Sequence, residues 1–343
     1  MLPGVPHLSS RAREAPPLSY SQDASCHTPN ISMSGLMSPN VAILLCTYQG
    51  EQYLHEQLAS FHAQTHAQWT VWASDDGSQD GTRQLLAAYK ENWGVNKLKI
   101  YDGPRKGFVA NFMSLICRPE IQADYYALSD QDDIWHADKL ARAVQWLASV
   151  PSNVPALYCT RTELIDEHGA LIGTSRWFSR KPAFANALVQ NVAGGNTMVF
   201  NDAARRLLML AGPDVQVVAH DWWVYIVVSA CGGNVHYDTQ PSLRYRQHSD
   251  NLIGSNAGLR ATLRRVKMLC EGRLKHWVDA NLSALSPIVP KMTPANRALY
   301  ERFKSARQRS LLPRTIGILR TGIYHQTRLG DLGLLASAIF NRI

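Results

Sequence analysis

The fold is decided in residues 41–50, whose sequence is VAILLCTYQG. The first part, from Val41 to Cys46, is a continuous apolar run, which is typical of a strand buried on both faces of a parallel sheet. Polar residues begin abruptly at Thr47, and residues 51–62 then carry apolar side chains at helical spacing. A buried strand followed at once by a helix predicts the first unit of an α/β fold.

The alternation of strand and helix continues along the chain. Further apolar runs predict strands at 69–74, 98–101 and 125–129, and shorter strands at 156–161, 197–200, 235–237 and 243–247. Helical spacing predicts helices at 79–91, 108–117, 139–147, 203–210 and 222–230. Strands that alternate with helices of this length imply βαβ units. We therefore expect the α/β class, with a Rossmann-like, mostly parallel sheet flanked by helices.

Composition divides the 343 residues into three regions. Residues 1–39 are rich in Ser, Pro and small polar residues without periodicity, which predicts a disordered leader. We expect residues 40–256 to form the α/β domain and residues 257–343 to form a basic, helical C-terminal extension. The whole chain is 45% hydrophobic and 18% charged, which excludes a disordered or fibrous protein. No apolar run of about 18 residues predicts a membrane span.

Positive charge is concentrated in the predicted C-terminal extension. Residues 257–343 contain 16 Lys or Arg and 4 Asp or Glu, whereas residues 1–256 contain 19 and 23. Such a region predicts an anionic partner, either lipid headgroups or nucleic acid, although a solvated helical face would have the same composition. Its aromatic residues are irregularly spaced, which disfavours nucleic acid. We predict peripheral contact with an anionic membrane and no nucleic-acid partner.

The six cysteines are scattered along the chain and include no Cys-x-x-Cys pair. This spacing predicts neither a structural zinc site nor a redox pair. The N-terminal residues contain no apolar core of a secretory signal. We therefore expect a reducing, cytoplasmic compartment for this protein.

Carboxylates follow the predicted strands at the points where the strands end. Asp75 and Asp76 come directly after the second strand, and the run DQDD at 130–133 follows the fourth. Because the carboxyl ends of parallel strands meet at one edge of a sheet, these acids should line one crevice. Like charges gathered there repel one another unless a cation compensates them. Oxygen ligands of this kind favour a divalent cation such as Mg²⁺ or Mn²⁺.

The chain lacks the phosphate-binding loops of other nucleotide enzymes. No Gly-x-Gly-x-x-Gly follows the first strand and no P-loop lysine is present, which excludes dinucleotide oxidoreductases and P-loop enzymes. A metal at Asp132, with the loop at 103–107 that leads into a helix N-terminus, is the predicted substitute. A competing interpretation is that Asp132 or Asp133 merely caps the helix that begins near Lys139.

Four motifs occur in order at the strand ends: residues 41–51, SDDGSQDGT at 74–82, Gly107-x-x-x-Asn111-Phe112, and SDQDDIW at 129–135. Together they resemble the motifs of family 2 glycosyltransferases. The similarity is greatest to bacterial rhamnosyltransferase-like members that build O-antigen and related polysaccharides. It covers about residues 40–250.

The resemblance implies a GT-A fold and an inverting transfer from a dTDP- or UDP-activated sugar. It places the nucleotide sugar against Thr47, Tyr48, Glu51, Asp75, Asp76, Gly107, Asn111 and Asp130. Asp75 would accept a hydrogen bond from N3 of thymine or uracil. It also implies a divalent cation, Mg²⁺ or Mn²⁺, held by Asp132 and by His248 in the segment 245–251.

A catalytic base is the next group that the resemblance implies. An inverting displacement needs a group that takes the proton of the acceptor hydroxyl, and Asp221 in the HDWW motif matches that position. Capping of a helix is the alternative role for this aspartate. Gly195, Asn196 and Trp222 are expected on the acceptor side, although the glycine could serve only a tight turn and the indole could be buried.

We therefore expect a glycosyltransferase that moves a single sugar, L-rhamnose, to a saccharide or lipid-linked acceptor at the inner face of the plasma membrane. The chain has neither the Gln-x-x-Arg-Trp segment nor the multi-span region that accompanies processive synthases. Two alternatives stay open. One is a nucleotidyltransferase acting on sugar phosphates, and the other is a non-catalytic module that binds nucleotide sugars.

Overall fold

The computed structural model describes residues 38–248 and 272–343 of the chain. Most of the predicted leader, the predicted domain boundary at 256/257 and the start of the basic C-terminal extension lie outside the described residues. The motif at 245–251 is described as far as His248. The division into three regions therefore stays a prediction.

Strands from both halves of the described chain build one central sheet. The strands are β1 (Val41–Thr47), β2 (Trp69–Asp75), β3 (Leu98–Asp102), β4 (Tyr125–Ser129), β5 (Ile134–Trp135), β6 (Ala156–Thr160), β7 (Glu163–Ile165), β8 (Leu171–Thr174), β9 (Val199–Asn201), β10 (Asn234–Asp238) and β11 (Leu243–Arg246). Seven of them form a sheet in the order β10-β6-β9-β4-β1-β2-β3. β9 is antiparallel to its neighbours β4 and β6, and the other pairs are parallel. The predicted mostly parallel sheet is confirmed.

Both faces of this sheet are buried, and each face uses alternate residues of the strands. On β1, the residues Val41, Ile43 and Leu45 belong to one hydrophobic cluster. The intervening residues, such as Leu44, belong to the other cluster. Because side chains alternate across a strand, only a continuous apolar run supplies both clusters.

Helices cover the two faces of the sheet. They are α1 (Leu54–His62), α2 (Thr82–Trp93), α3 (Phe108–Ile116), α4 (Lys139–Leu147), α5 (Phe184–Ala187), α6 (Asp202–Met209), α7 (His220–Ala230), α8 (Arg273–Ala284), α9 (Pro294–Arg307), α10 (Leu311–Thr321) and α11 (Arg328–Ile339). α1, α2 and α4 pack on one face, and the other helices contribute to the core on the opposite face. The α/β class and the helical C-terminal extension are confirmed. Within the described ranges, no helix has the length and apolar character needed to cross a membrane.

A small second sheet has the order β5-β11-β7-β8. The sequence predicts β11 but none of β5, β7 and β8, which have two to four residues each. β8 is largely exposed, so it has no apolar run that would signal a strand. This sheet matters for the site because β11 carries the chain to His248.

Two helices begin three residues later than the spacing of apolar residues predicts. α1 begins at Leu54 and α2 at Thr82. The preceding residues form turns in which the Gly50 N–H donates to Thr82 Oγ1 at 2.8 Å and the Glu51 N–H donates to Asp80 Oδ2 at 3.0 Å. These polar turns join the loops after β1 and β2. Because the spacing of apolar residues cannot reveal them, it places the helix starts too early.

Asn201 joins the sheet to α6 through one buried side chain. Its Oδ1 accepts the N–H groups of Ala204 and Ala156, each at 3.0 Å, and its Nδ2 donates to the Val154 carbonyl at 2.8 Å. We expect Asn201→Ala to lower the free energy of unfolding by about 3 kcal/mol, because a helix cap is lost and buried backbone groups lose partners. The exposed control Asn153→Ala should change it by less than about 0.5 kcal/mol. Urea unfolding measures both, and equal effects would contradict this role.

Candidate active site

Three parallel strands bring the predicted residues to one edge of the central sheet. β1 and β2 end side by side, with Thr47 opposite Asp75. β4 runs parallel to β1 on its other side, with Ser129 opposite Leu45. The residues that end or follow these strands therefore meet at the carboxyl edge, where open parallel sheets bind ligands.

Two acids lie near the Cys46 thiol at the end of β1: Asp76, which follows β2, and Asp130, which follows β4. Burial raises the pKa of Cys46 well above its ordinary value, and the charges of Asp130 and Asp76 raise it further. Both carboxylates are thus close enough to act on the same buried atom, as the meeting of the strand ends implies.

The carboxylate of Asp75 is buried and hydrogen-bonded within its own turn. Oδ1 accepts the N–H of Ser78 at 2.9 Å and that of Gly77 at 3.3 Å. Oδ2 accepts the hydroxyl of Ser78 at 2.6 Å and that of Thr47 at 2.9 Å. Since a carboxylate offers about four acceptor positions, these bonds use all of them. The resemblance implies that a nucleotide base donates a hydrogen bond to Asp75. This would require one of the present donors to move away from the carboxylate.

Tyr48 is held by a side chain from the loop after β4. Gln131 Nε2 donates to the Tyr48 carbonyl at 2.8 Å, and Gln131 Oε1 accepts the Tyr48 N–H at 2.7 Å. A Cβ at Gly50 would collide with this amide, so glycine allows the close approach. The Tyr48 side chain stays 59% exposed and accessible to a ligand. Sequence reasoning missed Gln131, although it lies inside a quoted motif.

Glu51 fixes the loop that follows β2. Its carboxylate accepts the Gly81 N–H at 2.8 Å, while its own N–H donates to Asp80. A Cβ at Gly81 would meet the Glu51 carboxylate at 2.5 Å, so this contact also depends on glycine. Glu51 therefore shapes the predicted nucleotide side through the loop between β2 and α2.

Asp76 fixes the loop in front of α3. Its Oδ1 accepts the Arg105 N–H at 2.6 Å, and its Oδ2 accepts the Gly107 N–H at 2.8 Å. Gly107 has a φ of 87°, a left-handed conformation that favours glycine, and it immediately precedes α3. Asn111 of α3 donates to the Ser74 carbonyl at 2.9 Å, which ties α3 to β2. The predicted loop and helix N-terminus thus lie beside the end of β2.

The charges of Asp132 and Asp221 act on the buried carboxyl of Asp130. The pKa of Asp130 is raised to about 7, first by burial and then by the charges of Asp132 and Asp221, while Lys139 opposes the shift. Negative charge on Asp132 and Asp221 therefore acts on Asp130, and a cation bound there would relieve this repulsion.

None of these acids occupies a helix N-cap position. The N-cap position of α4 is occupied by Asp138, and that of α7 by Ala219. Asp132 and Asp133 are separated from α4 by β5. Asp221 lies inside the first turn of α7 and accepts an N–H of that turn, so its carboxylate also supports the start of the helix.

His248 approaches Asp132 from the second sheet. Its Nε2 lies 2.8 Å from Asp132 Oδ2, and its ring packs on Tyr53 with the ring centroids 5.3 Å apart. Arg246, at the end of β11, is 1% exposed and donates Nε to the Asp132 carbonyl at 3.2 Å and Nη2 to Glu56 Oε2 at 2.8 Å. The two residues predicted to bind a cation are thus adjacent. Arg246, which sequence reasoning missed, holds the backbone of one of them.

The donor set fits a hard divalent cation that takes further ligands from its substrate. Asp132 offers a carboxylate oxygen, His248 offers an imidazole nitrogen, and the Asp130 carboxyl lies near enough for the charge of Asp132 to raise its pKa. Within the described part of the chain, no three His, Cys, Asp or Glu side chains are grouped to hold a metal by themselves. Mg²⁺ typically uses one or two carboxylates together with phosphate oxygens and waters, so an incomplete protein shell suits it.

A buried polar layer lies beneath the acids and was not predicted. Asp133 Oδ2 accepts Asn196 Nδ2 at 2.7 Å, and the Asn196 carbonyl accepts Lys139 Nζ at 2.5 Å. Burial raises the pKa of Asp133 well above its ordinary value and lowers the pKa of Lys139 to about 7. Asn196 was expected on the acceptor side, but it is buried and supports Asp133 instead.

One short turn connects Asp221 to this layer. A 3₁₀ helix spans Gly195–Thr197, and the Gly195 N–H donates to Asp221 Oδ2 at 3.2 Å. Asp221 Oδ1 accepts the N–H of the following residue at 2.6 Å. Burial raises the pKa of Asp221 to about 6, although these bonds favour the charged form. A carboxylate with such a raised pKa is suited to proton transfer.

The aromatic residues beside Asp221 are buried. Trp222 is 6% exposed, and its indole N–H donates to the Ala187 carbonyl at 2.7 Å. Of the two roles left open for Trp222, the structure therefore favours burial, because α7 turns the indole into the core and leaves little ring surface for a sugar. His220 stacks on Phe112 at a centroid distance of 3.8 Å, and burial lowers its pKa to about 3. His220 is therefore neutral.

Comparisons with known proteins point to one family. Residues 42–208 match the model described as Glycosyl transferase family 2. The dTDP-rhamnosyl transferase RfbG of Shigella flexneri is 26% identical over 234 residues, which cover 66% of this chain and 78% of that protein. The putative teichuronic acid biosynthesis glycosyltransferase TuaG of Bacillus subtilis is 30% identical over 112 residues, which cover 32% of this chain and 42% of that protein. A crystal structure of S. aureus TarS 1–349 superposes with a TM-score of 0.49 at 12% identity, covering 88% of this chain and 81% of that chain.

The buried layer predicts that Lys139 stabilises the fold through its hydrogen bond to Asn196. We expect Lys139→Met to lower the free energy of unfolding by about 2 kcal/mol, because the buried Asn196 carbonyl loses its donor. The exposed control Lys106→Met should cost less than about 0.5 kcal/mol. Urea unfolding measures both variants, and equal effects of the two changes would contradict this role.

Proposed function

We propose, from the match of residues 42–208 to the glycosyltransferase family 2 model, that the protein is an inverting enzyme that transfers a single sugar from a nucleoside diphosphate. The acceptor is a saccharide or a lipid-linked saccharide. The observations that support the proposal are the contact of His248 Nε2 with Asp132 Oδ2 at 2.8 Å and the effect of the Asp132 and Asp221 charges on the buried Asp130. Asp130 and Asp132 suit the diphosphate side, and Asp221 suits proton transfer.

We assign the donor to the dTDP or UDP class, with L-rhamnose as the sugar. The similarity to RfbG, a dTDP-rhamnosyl transferase, supports this assignment over 234 residues. The nucleotide is proposed to lie against the exposed Tyr48 and the loops fixed by Glu51, Asp75 and Asp76. The product would belong to O-antigen or related bacterial surface polysaccharide, made at the cytoplasmic face of the membrane.

Asp132 and His248 are the proposed ligands of a divalent cation, with Asp130 beside them. When bound, Mg²⁺ or Mn²⁺ would neutralise the charge that develops on the departing diphosphate. Arg246 holds the Asp132 carbonyl, and Asn196 holds the neighbouring Asp133. These contacts hold the segment that contains Asp132 in place in the absence of substrate.

Asp221 is the proposed base. The acceptor hydroxyl oxygen forms the new bond to the anomeric carbon while the bond from that carbon to the diphosphate oxygen breaks, and the hydroxyl proton passes to an Asp221 oxygen. Two backbone N–H groups orient this carboxylate. With a pKa of about 6, Asp221 is ionised at neutral pH and is a stronger base than an exposed aspartate. Gly195 is proposed to border the acceptor, because its N–H contacts the base.

The basic C-terminal extension is proposed to bring the enzyme to an anionic membrane surface. Its described part, residues 272–343, contains 12 Lys or Arg and 3 Asp or Glu. Each basic residue near an anionic surface contributes about 1 kcal/mol of attraction. Lipid-linked acceptors lie at that surface, so membrane contact would raise the local concentration of acceptor.

Product analysis tests the proposed reaction. Wild-type protein incubated with Mn²⁺, dTDP- or UDP-sugars and saccharide acceptors should release nucleoside diphosphate and form a glycoside of inverted anomeric configuration. Release of pyrophosphate would instead support a nucleotidyltransferase. Donor binding without any turnover across the panel would support a non-catalytic binding module.

Asp221→Asn should lower kcat by at least about 100-fold and leave the donor Kd unchanged within about twofold, because the amide cannot accept the proton. In the wild type, kcat should rise with pH to a plateau with an apparent pKa of about 6, since the base must be deprotonated. The exposed control Asp214→Asn should preserve both kcat and the pH profile. Turnover of Asp221→Asn near the wild-type rate would eliminate Asp221 as the base.

A further inference from the structure

The outer faces of α10 and α11 carry large, exposed apolar side chains. Leu312, Ile316 and Leu319 follow one another at helical spacing on α10, and Leu329 and Leu332 do so on α11. These five residues, which we call the apolar helical face, are between 48% and 71% exposed. Scattered exposed leucines need no explanation, but a set on adjacent helices marks an interaction site.

The two helices belong to one layer. Each buries its opposite side in the core on the same face of the central sheet, through Ile318 of α10 and through Leu334 and Ala338 of α11. The helices also pack against each other. The apolar helical face therefore consists of the exposed sides of two helices that pack against each other and against the same core.

Arginines stand at the ends of both helices. Arg309 and Arg320 lie at the two ends of α10, and Arg328 begins α11 while Arg342 follows it. All four are exposed, and none forms an ion pair with a residue of the described ranges. We call these four residues the arginine rim. The acid of α11, Asp331, is paired with Arg180 at 2.8 Å and does not offset the rim.

A basic cavity opens next to this surface. Its volume is about 740 Å³, and its lining includes Lys275, Lys304 and Arg309. Arg309 thus belongs both to the cavity and to the arginine rim. Positive charge therefore continues from the helix ends into a concave surface, which favours anions in the partner.

Charge decides which partner fits the surface. A second copy of the chain docked through the same face would bring two arginine rims together, and their repulsion would oppose the contact. A nucleic acid would pair with the arginines but leave the leucines in water. A bilayer with anionic lipids accepts both, because leucines enter the boundary of headgroups and acyl chains while arginines contact phosphates.

We propose that the apolar helical face and the arginine rim dock the protein on the surface of an anionic lipid bilayer. The contact is interfacial, with α10 and α11 lying along the membrane. This inference deepens the proposed function. It rests on the proposed function only in one respect, namely that a lipid-linked acceptor would lie at the membrane surface. It adds the surface that makes the contact and a requirement for apolar insertion, which charge alone would not give.

Vesicle flotation of the full-length protein tests the proposal. We expect binding to vesicles of phosphatidylglycerol and phosphatidylethanolamine, binding at least about 10-fold weaker to phosphatidylcholine, and partial release in about 0.5 M NaCl. Leu312→Gln/Leu319→Gln should weaken binding to the anionic vesicles by at least about 10-fold. The matched control Leu171→Gln/Ile172→Gln changes two residues of β8 that are 64% and 56% exposed, and it should bind like the wild type. Thermal unfolding verifies that each variant is folded.

Three results would overturn the proposal. They are equal binding to phosphatidylcholine, unchanged binding of Leu312→Gln/Leu319→Gln, and self-association in analytical ultracentrifugation that this variant abolishes, which would assign the face to a second copy. Release of nucleoside diphosphate by the wild type without vesicles, measured in parallel, separates this proposal from the proposed function. If the protein releases nucleoside diphosphate but does not float with anionic vesicles, the docking surface is refuted and the proposed function stands. If it floats but releases no nucleoside diphosphate, the proposed transferase activity is refuted and the docking surface stands.

Discussion

Repulsion among three carboxylates is the constraint on which the site depends. Burial and the charges of Asp132 and Asp221 raise the pKa of Asp130 to about 7, so the fold holds these acids together against a preference to separate or to be neutral. A protein that only had to fold would gain by placing apolar or neutral groups there. The repulsion between the acids is relieved when a cation binds, because the negative charge of the acids attracts the cation and the cation in turn attracts the diphosphate.

The remaining structure fixes where each acid stands. β1, apolar on both faces, puts the ends of β2 and β4 on either side of one crevice. The turn at Gly195–Thr197 binds Asp221 with one residue and Asp133 with the next, so it sets the spacing between the proposed base and the proposed cation side. The second sheet brings Arg246 and His248 to Asp132 from a distant part of the chain. Three independent elements therefore converge on a single cluster.

The carboxyl edge could be predicted because apolar runs locate parallel strands and parallel strands end together. Thr47, Asp75 and Asp130 meet for that reason. Contacts made by side chains after the chain has folded could not be predicted in this way, which is why the support that the buried Asn196 gives to Asp133 was missed. β5, β7 and β8 were missed because pairing, and not an apolar pattern, defines these short strands. The burial of Lys139 could have been predicted from its spacing. It lies four residues before Ala143 and eight before Leu147, on the buried side of α4.

Crystals grown with Mn²⁺ and dTDP, measured for anomalous scattering, test the central claim most directly. A peak should appear within coordination distance of an Asp132 oxygen and of the diphosphate, with Asp130 and His248 lining the same crevice. A manganese peak elsewhere, or a dTDP molecule whose diphosphate lies away from Asp130 and Asp132, would contradict the account.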